Sequence, residues 1–164
     1  MQDIIPNASD VSELLTRDHE TIGVAESSTG GLISAALVGV AGASAYFIGG
    51  TVFYTRKAIN ELLGVPQESL SAARALTETT ALMIARRIRE RLGTTWAISE
   101  IGAAGPTGSR YGDPAGTSCI AVTGPVERSM TVRTGLDDRK ENMTLFASAA
   151  LQLMKECLMS HDRK

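Results

Sequence analysis

The segment TIGVAESSTGG, residues 21–31, constrains the fold more than any other. Thr21–Ala25 is a short apolar run of strand length. A polar, glycine-rich turn follows at once, and then Leu32, Ala35, Ala36 and Val40 recur at helical spacing. Strand, tight turn and helix in so few residues are the punctuation of a layered α/β domain. The same grammar returns downstream. GTVFY, from Gly50 to Tyr54, reads as a second strand. Thr55 can cap a helix over Arg56–Leu63, with Gly64 as its stop and Pro66 just beyond. Thr77 opens a longer helix carrying Ala81, Ile84, Ala85 and Ile88 on one face and ending at Gly93. The opposite face is dense in charge and reads as solvated surface. TWAIS is a third strand and runs into EIGAAGPTG.

Two further strands, GTSCIAVTG and RSMTVRTG, are joined by a loop too short for anything but an antiparallel pair. Asp138 and Glu141 form a capping box for a last helix with Phe146, Ala147, Ala150 and Met154 inward. Asp10 and Glu13 make a similar box for a first helix carrying Val11, Leu14 and Leu15. Helices between strands plus one hairpin give a three-layer α/β/α domain with a mixed sheet. At 164 residues, one domain spanning 1–164 is expected. In such sheets ligands collect at the carboxyl ends of strands. Those ends carry ESSTGG, YTRK and EIGAAGPTG.

Bulk chemistry narrows the partners. The net charge of -2 argues against a nucleic-acid footprint. No apolar run reaches the roughly 18 residues of a membrane span, so no membrane partner is expected. The beginning, MQDIIPNASD, lacks the basic-then-apolar layout of a signal peptide. Cys119 and Cys157 lie far apart and read as buried, reduced thiols, which fits a cytoplasmic location. His19 and His161 sit near the termini, and no metal site or other cofactor is expected.

The motifs VAESSTGG, GASAYFIGGTVFY, LLGVP, GAAGPTG and AGTSCIAV resemble, in order and spacing, the CinA C-terminal domain family over roughly residues 8–158. That family includes bacterial nicotinamide mononucleotide deamidases. The resemblance covers one domain of the longer CinA proteins, which suggests a stand-alone form. It implies hydrolysis of a carboxamide to the acid and ammonia by a serine nucleophile with a lysine base, a known variant of nucleophile–base pairing. Ser44, in GASA, matches the family's serine. Tyr54 matches a tyrosine that opens the stretch ending in the family's lysine. That lysine position holds Ile59. The residue before GAAGP, a threonine or serine in active members, is Ile101, and the one before it is Glu100, where an apolar residue is usual. Arg139, in LDDR, matches a kept arginine.

The resemblance therefore implies Ser44 and Tyr54 as catalytic positions. It implies Glu26, Ser28, Thr29, Gly30, Gly31, Gly102 and Arg139 as a surround for a small nucleotide-like ligand; Glu100, a departure from the family at the end of an apolar strand, could accept an amide N–H of that ligand, pair with Lys57 or hold an ion with Glu26. Lys57 is the one candidate for a substitute base, although it lies two residues from Ile59 and so on a different side of a helix. Two functional readings stay open: an amidohydrolase impaired by loss of its lysine, and a non-catalytic binder with a regulatory role. A homo-oligomer is expected for either.

Overall fold

A computed structural model describes residues 5–161, so part of the N-terminal stretch read for a targeting signal lies outside the described residues. Its elements in chain order are α1 (Ile5–Asp18), β1 (Ile22–Glu26), α2 (Leu32–Val38), a 3-10 turn (Ala43–Ala45), β2 (Phe47–Val52), α3 (Arg56–Leu63), α4 (Gln67–Ala72), α5 (Glu78–Leu92), β3 (Trp96–Ala103), β4 (Thr117–Thr123), β5 (Arg128–Arg133) and α6 (Arg139–His161). The strands form one mixed sheet of order β2-β1-β3-β4-β5. β1 runs parallel to β2 and β3, while β3–β4 and β4–β5 are antiparallel.

Alternation along the strands sorts side chains to two cores. Ile22, Val24, Trp96, Ile98, Ile120 and Val122 face α1, α2 and α6. Ala25, Ala97, Ile101, Cys119 and Ala121 face α3, α4 and α5. The result is the expected three-layer α/β/α arrangement with a mixed sheet. Among the described residues no helix is long and apolar enough to cross a membrane.

Local signals hold where the chemistry is short-range. Thr55 Oγ1 accepts from Ala58 N, and Gly64 ends α3 in the left-handed region at φ 64°. Thr77 caps α5 and Gly93 closes it. Asp138 accepts from Glu141 N at 2.9 Å at the start of α6. At α1 the structure differs. The helix begins at Ile5, so Asp10 is inside it, where it accepts from Lys155 Nζ of α6 at 2.6 Å. In α2 the fully buried residues are Ile33, Ala36 and Leu37, not Leu32, Ala35 and Val40. Glu26 holds the N–H groups of Ile33 and Ser34, and that cap sets the phase of the helix.

β2 also starts earlier than Gly50. Its glycine pair lies inside the strand: a Cβ on Gly50 would stand 2.5 Å from Ser34 Oγ, whereas one on Gly49 would make ordinary contact with Leu92. β2 carries one extra residue near Ile48 relative to β1. The charged face of α5 is more than solvated surface. Arg87 donates to the carbonyls of Leu63 and Gly64 and so satisfies the end of α3.

Candidate functional site

Glu26 and Glu100 end the apolar stretches of β1 and β3 and are direct neighbours across the parallel pair. Both are fully buried. Their parity puts them on the α2 side of the sheet, the side of Val24 and Ile98. A bare carboxylate there costs several kcal/mol unless its oxygens are met by donors, and here they are. Glu26 accepts from Ile33 N at 3.1 Å, Ser34 N at 3.0 Å, Ser34 Oγ at 2.7 Å and Thr29 Oγ1 at 2.7 Å. Glu100 accepts on Oε2 from Ser27 N at 3.2 Å and Thr29 N at 3.0 Å, and the Thr29 hydroxyl, whose single hydrogen it shares with Glu26, lies 3.0 Å away. On Oε1 it accepts from the hydroxyls of Ser28 and Ser118. Burial still holds the Glu100 carboxyl above its ordinary range, against the pull of these donors. Within ESSTGG the N–H groups of Ser27 and Thr29 are thus taken by Glu100, and Glu26 takes those of Ile33 and Ser34 in the first turn of α2.

This network fixes the backbone of the turn. Gly30 and Gly31 take φ values of 64° and 104°, which glycine adopts without strain. Gly102 must be glycine for a different reason: a Cβ there would run into Ser28 Oγ and stand 2.8 Å from Glu100 Oε1. Ser118 on β4, within AGTSCIAV, joins the network without having been expected in the site, and its place opposite Gly102 in the antiparallel register is what delivers it.

On the other face of the sheet, the α5 side, lies a cavity of about 480 Å3. Its wall is apolar: Phe53, Ile59, Leu70, Leu76, Ile84 and Ile101. Ser27, Tyr54 and Gly102 stand at the strand ends, and Arg56, Lys57 and Arg110 line the mouth. No carboxylate lines it among the described residues. The Arg56 guanidinium lies 5.8 Å from the centre of the Tyr111 ring, bringing α3 against the loop after β3. That loop is further held by Arg74 on Asp113 at 2.6 Å and by Ser109 on the same carboxylate. An apolar slot with a cationic mouth suits a ligand with a flat, weakly polar body and an anionic group.

The residues singled out from the sequence fall into three places. Glu26, Ser28, Thr29 and Glu100 form the buried network, separated from the cavity by strand alternation. Tyr54, Lys57, Gly102 and Ile59 line the cavity, and Arg139 reaches its edge, donating to Tyr54 Oη at 2.8 Å and to the Gly105 carbonyl at 2.7 Å. Ser44 is elsewhere. It is exposed in the 3-10 turn before β2, next to Tyr46, whose carbonyl accepts from Ile22 N at the start of β1. Within one chain the length of β2, six residues or roughly 20 Å, separates Ser44 from Tyr54. Ile59 is only 8% exposed, in the lysine's place. Lys57 is exposed at the mouth. Ser27 and Arg110 were not foreseen as cavity residues. Ser27 sits beside Glu26 in a turn already marked, whereas no local pattern distinguishes Arg110.

A mixed-sheet α/β/α domain with a ligand-sized cavity at the carboxyl ends of its parallel strands defines the class. The chain belongs to the CinA C-terminal domain family, whose sequence pattern matches residues 5–158. It is 41% identical over 138 residues to a CinA-like protein of Salinibacter ruber, covering 84% of this chain and 34% of that protein. The chain spans little more than a third of the length of the curated relatives it matches. It superposes on the competence/damage inducible protein of Agrobacterium tumefaciens with a TM-score of 0.87 at 32% identity, over 95% of each chain. A CinA superfamily protein of Klebsiella pneumoniae gives 0.90 at 26% identity, over 96% of this chain and 98% of that one.

Proposed function

We infer that the protein binds a nucleotide-like ligand of the pyridine-nucleotide type in the cavity and hydrolyses its carboxamide poorly. The observation that carries this reading is the cavity wall: where a Ser-Lys amidase needs a base, Ile59 and Ile101 present hydrocarbon. Neither can move a proton. Ligand contact is supported by the cationic mouth and by Tyr54 and Arg139, whose guanidinium favours a phosphate through charge-assisted hydrogen bonds. Glu26, Ser28, Thr29 and Glu100 serve this site by holding the strand ends rather than by touching the ligand. The cysteines fit a reduced compartment. Both are buried, and burial pushes both thiols up, Cys157 to about 11. Calorimetric titration with nicotinamide mononucleotide, run beside an ammonia-release assay, tests the reading. Saturable binding with release near background is expected. Robust turnover, or no binding of the nucleotide, overturns it.

A further inference from the structure

The cavity on the α5 side has two unlike ends. Its inner wall is part of the core of that side: Phe53, Ile59, Leu70, Leu76, Ile84 and Ile101 pack in one cluster. Polar side chains reach the cavity too, but most are engaged within the protein. Thr80 donates to the Arg74 carbonyl at 2.7 Å and lies 3.0 Å from the Thr77 hydroxyl. Ser109 donates to Asp113 at 2.6 Å and accepts from the N–H groups of Tyr111 and Asp113. Ser27, at the end of β1, keeps a hydroxyl with no partner among the described residues. The mouth is the reverse. Arg56, Lys57 and Arg110 line it with no carboxylate partner among the described residues, whereas Arg74, Arg86 and Arg87 are each held by one. Three uncompensated cations favour an anion, and a hydrocarbon wall favours a group with no hydrogen bonds to satisfy.

We propose that the cavity selects an anion whose buried end is hydrocarbon, an aryl phosphate in chemical class, and that Ile59 and Ile101 set this preference. The proposal rests on the reading above for the place and the anionic end, and it adds what the inner end must be. A phosphate is not stable against six apolar side chains, so it takes the mouth and the ring points inward. A ring with a carboxamide brings one acceptor and two N–H donors with it. The Ser27 hydroxyl can meet one of those donors, and Ile59 and Ile101, 8% and 7% exposed, can meet none. A ring with a methyl where the amide has its NH2 leaves no donor unmet and packs against the same isoleucines. It should bind about tenfold tighter or more. Nicotinamide mononucleotide is then a ligand that the phosphate and ring carry in, not the one the wall fits.

Calorimetric titration with two nucleotides tests the preference. Nicotinamide mononucleotide and the mononucleotide of acetylpyridine, with the acetyl group in the carboxamide's place, share ring, sugar and phosphate and differ by NH2 against CH3. The wild type should favour the acetyl compound by about tenfold or more. Ile101→Val and Ile101→Thr form a pair of equal shape. The valine keeps the wall apolar and should keep the preference, while the threonine hydroxyl can accept from the NH2 and should narrow it severalfold. Ile59→Val and Ile59→Thr repeat the comparison on α3 if the strand variants fold poorly. Equal affinities in the wild type, a preference for the amide, or one preference shared by the valine and threonine variants overturns the proposal and leaves nucleotide binding standing. Naphthyl phosphate, titrated beside inorganic phosphate, separates the two readings. It should bind at least about tenfold more tightly than inorganic phosphate, and Arg110→Ala should weaken it. Naphthyl phosphate binding no tighter than inorganic phosphate overturns the proposal. If it binds and neither nucleotide does, the pyridine-nucleotide reading falls and the hydrocarbon-ended anion stands. Binding of none of the three overturns both.

Discussion

Arg139 donates to the hydroxyl of Tyr54 at 2.8 Å, joining the first turn of α6 to the carboxyl end of β2 across 85 positions of sequence. The same guanidinium holds the Gly105 carbonyl, so one side chain ties three segments at the cavity's edge. Two of its N–H groups are spent on these contacts, and the fork retains donors for an anion.

Arg139→Ala should therefore weaken binding of a phosphorylated ligand. A charge-assisted hydrogen bond is worth roughly 1.5–3 kcal/mol, or about tenfold or more in affinity. Tyr54→Phe removes a neutral partner but leaves the cation, so it should cost less. Calorimetry on the two variants checks the order. Equal affinities for Arg139→Ala and the wild type, with the fold intact, would rule out the phosphate role.

The two buried carboxylates should respond differently to neutral replacement. Each oxygen of Glu26 receives a backbone N–H, from Ser34 on one side and Ile33 on the other. Whichever way an amide is turned, its NH2 opposes a donor that cannot rotate. Glu26→Gln should lower stability by about 1–3 kcal/mol. Glu100 takes its backbone N–H bonds on one oxygen only; the other meets the hydroxyls of Ser28 and Ser118, which can turn and accept. Glu100→Gln should cost clearly less. Urea denaturation of both variants near neutral pH gives the comparison, and equal losses would refute the donor assignment.

Glu100 also predicts a pH dependence. Burial raises its carboxyl above the 4.5 of an unperturbed glutamate, so the folded protein binds this proton more tightly than the unfolded chain. Its contribution is then complete below the unfolded value and is lost as pH rises through the folded one. Glu127 has the opposite sign. Arg86 and Thr123 hold it down at about 2, so its contribution is present above 4.5 and fades in acid. Subtracting the Glu100→Gln curve from the wild type isolates Glu100. As pH rises from 4.5 through the raised folded value, the wild type should lose ground to the variant. A difference that stays flat or runs the other way contradicts the raised carboxyl.

Most caps and turns are legible because each depends on a few adjacent residues; the Asp10 box is the exception, since α1 begins upstream at Ile5. Thr55, Gly64, Thr77, Gly93 and Asp138 all sit where their chemistry places them. The hairpin of β4 and β5 was legible from its short link. α4 was not, since six residues are too few to show a period. The strand order, with β1 in the interior and β2 at an edge, is a property of non-local pairing that no window of sequence contains. The site was half legible. Three strand ends stand out in the sequence, but grouping Glu26 and Glu100 with Tyr54 overlooks strand parity, which turns both glutamates away from Ile101 and the cavity. Ser44 was placed by its motif, and a motif does not say which end of a strand it precedes.

The Ile59 position leads to a test of catalysis. A chain with Ile59→Lys and Ile101→Thr restores the amine and hydroxyl that the family resemblance calls for. Ile59 is nearly buried, so an amine in its place should have its pKa lowered toward the range of a useful base. Positioned acid–base groups contribute on the order of 10²–10⁴-fold, so this double variant should release ammonia from nicotinamide mononucleotide well above the wild type, which stays near background. Adding Ser44→Ala to it should abolish the release. Activity in the double variant that survives Ser44→Ala would mean that another group attacks the carboxamide.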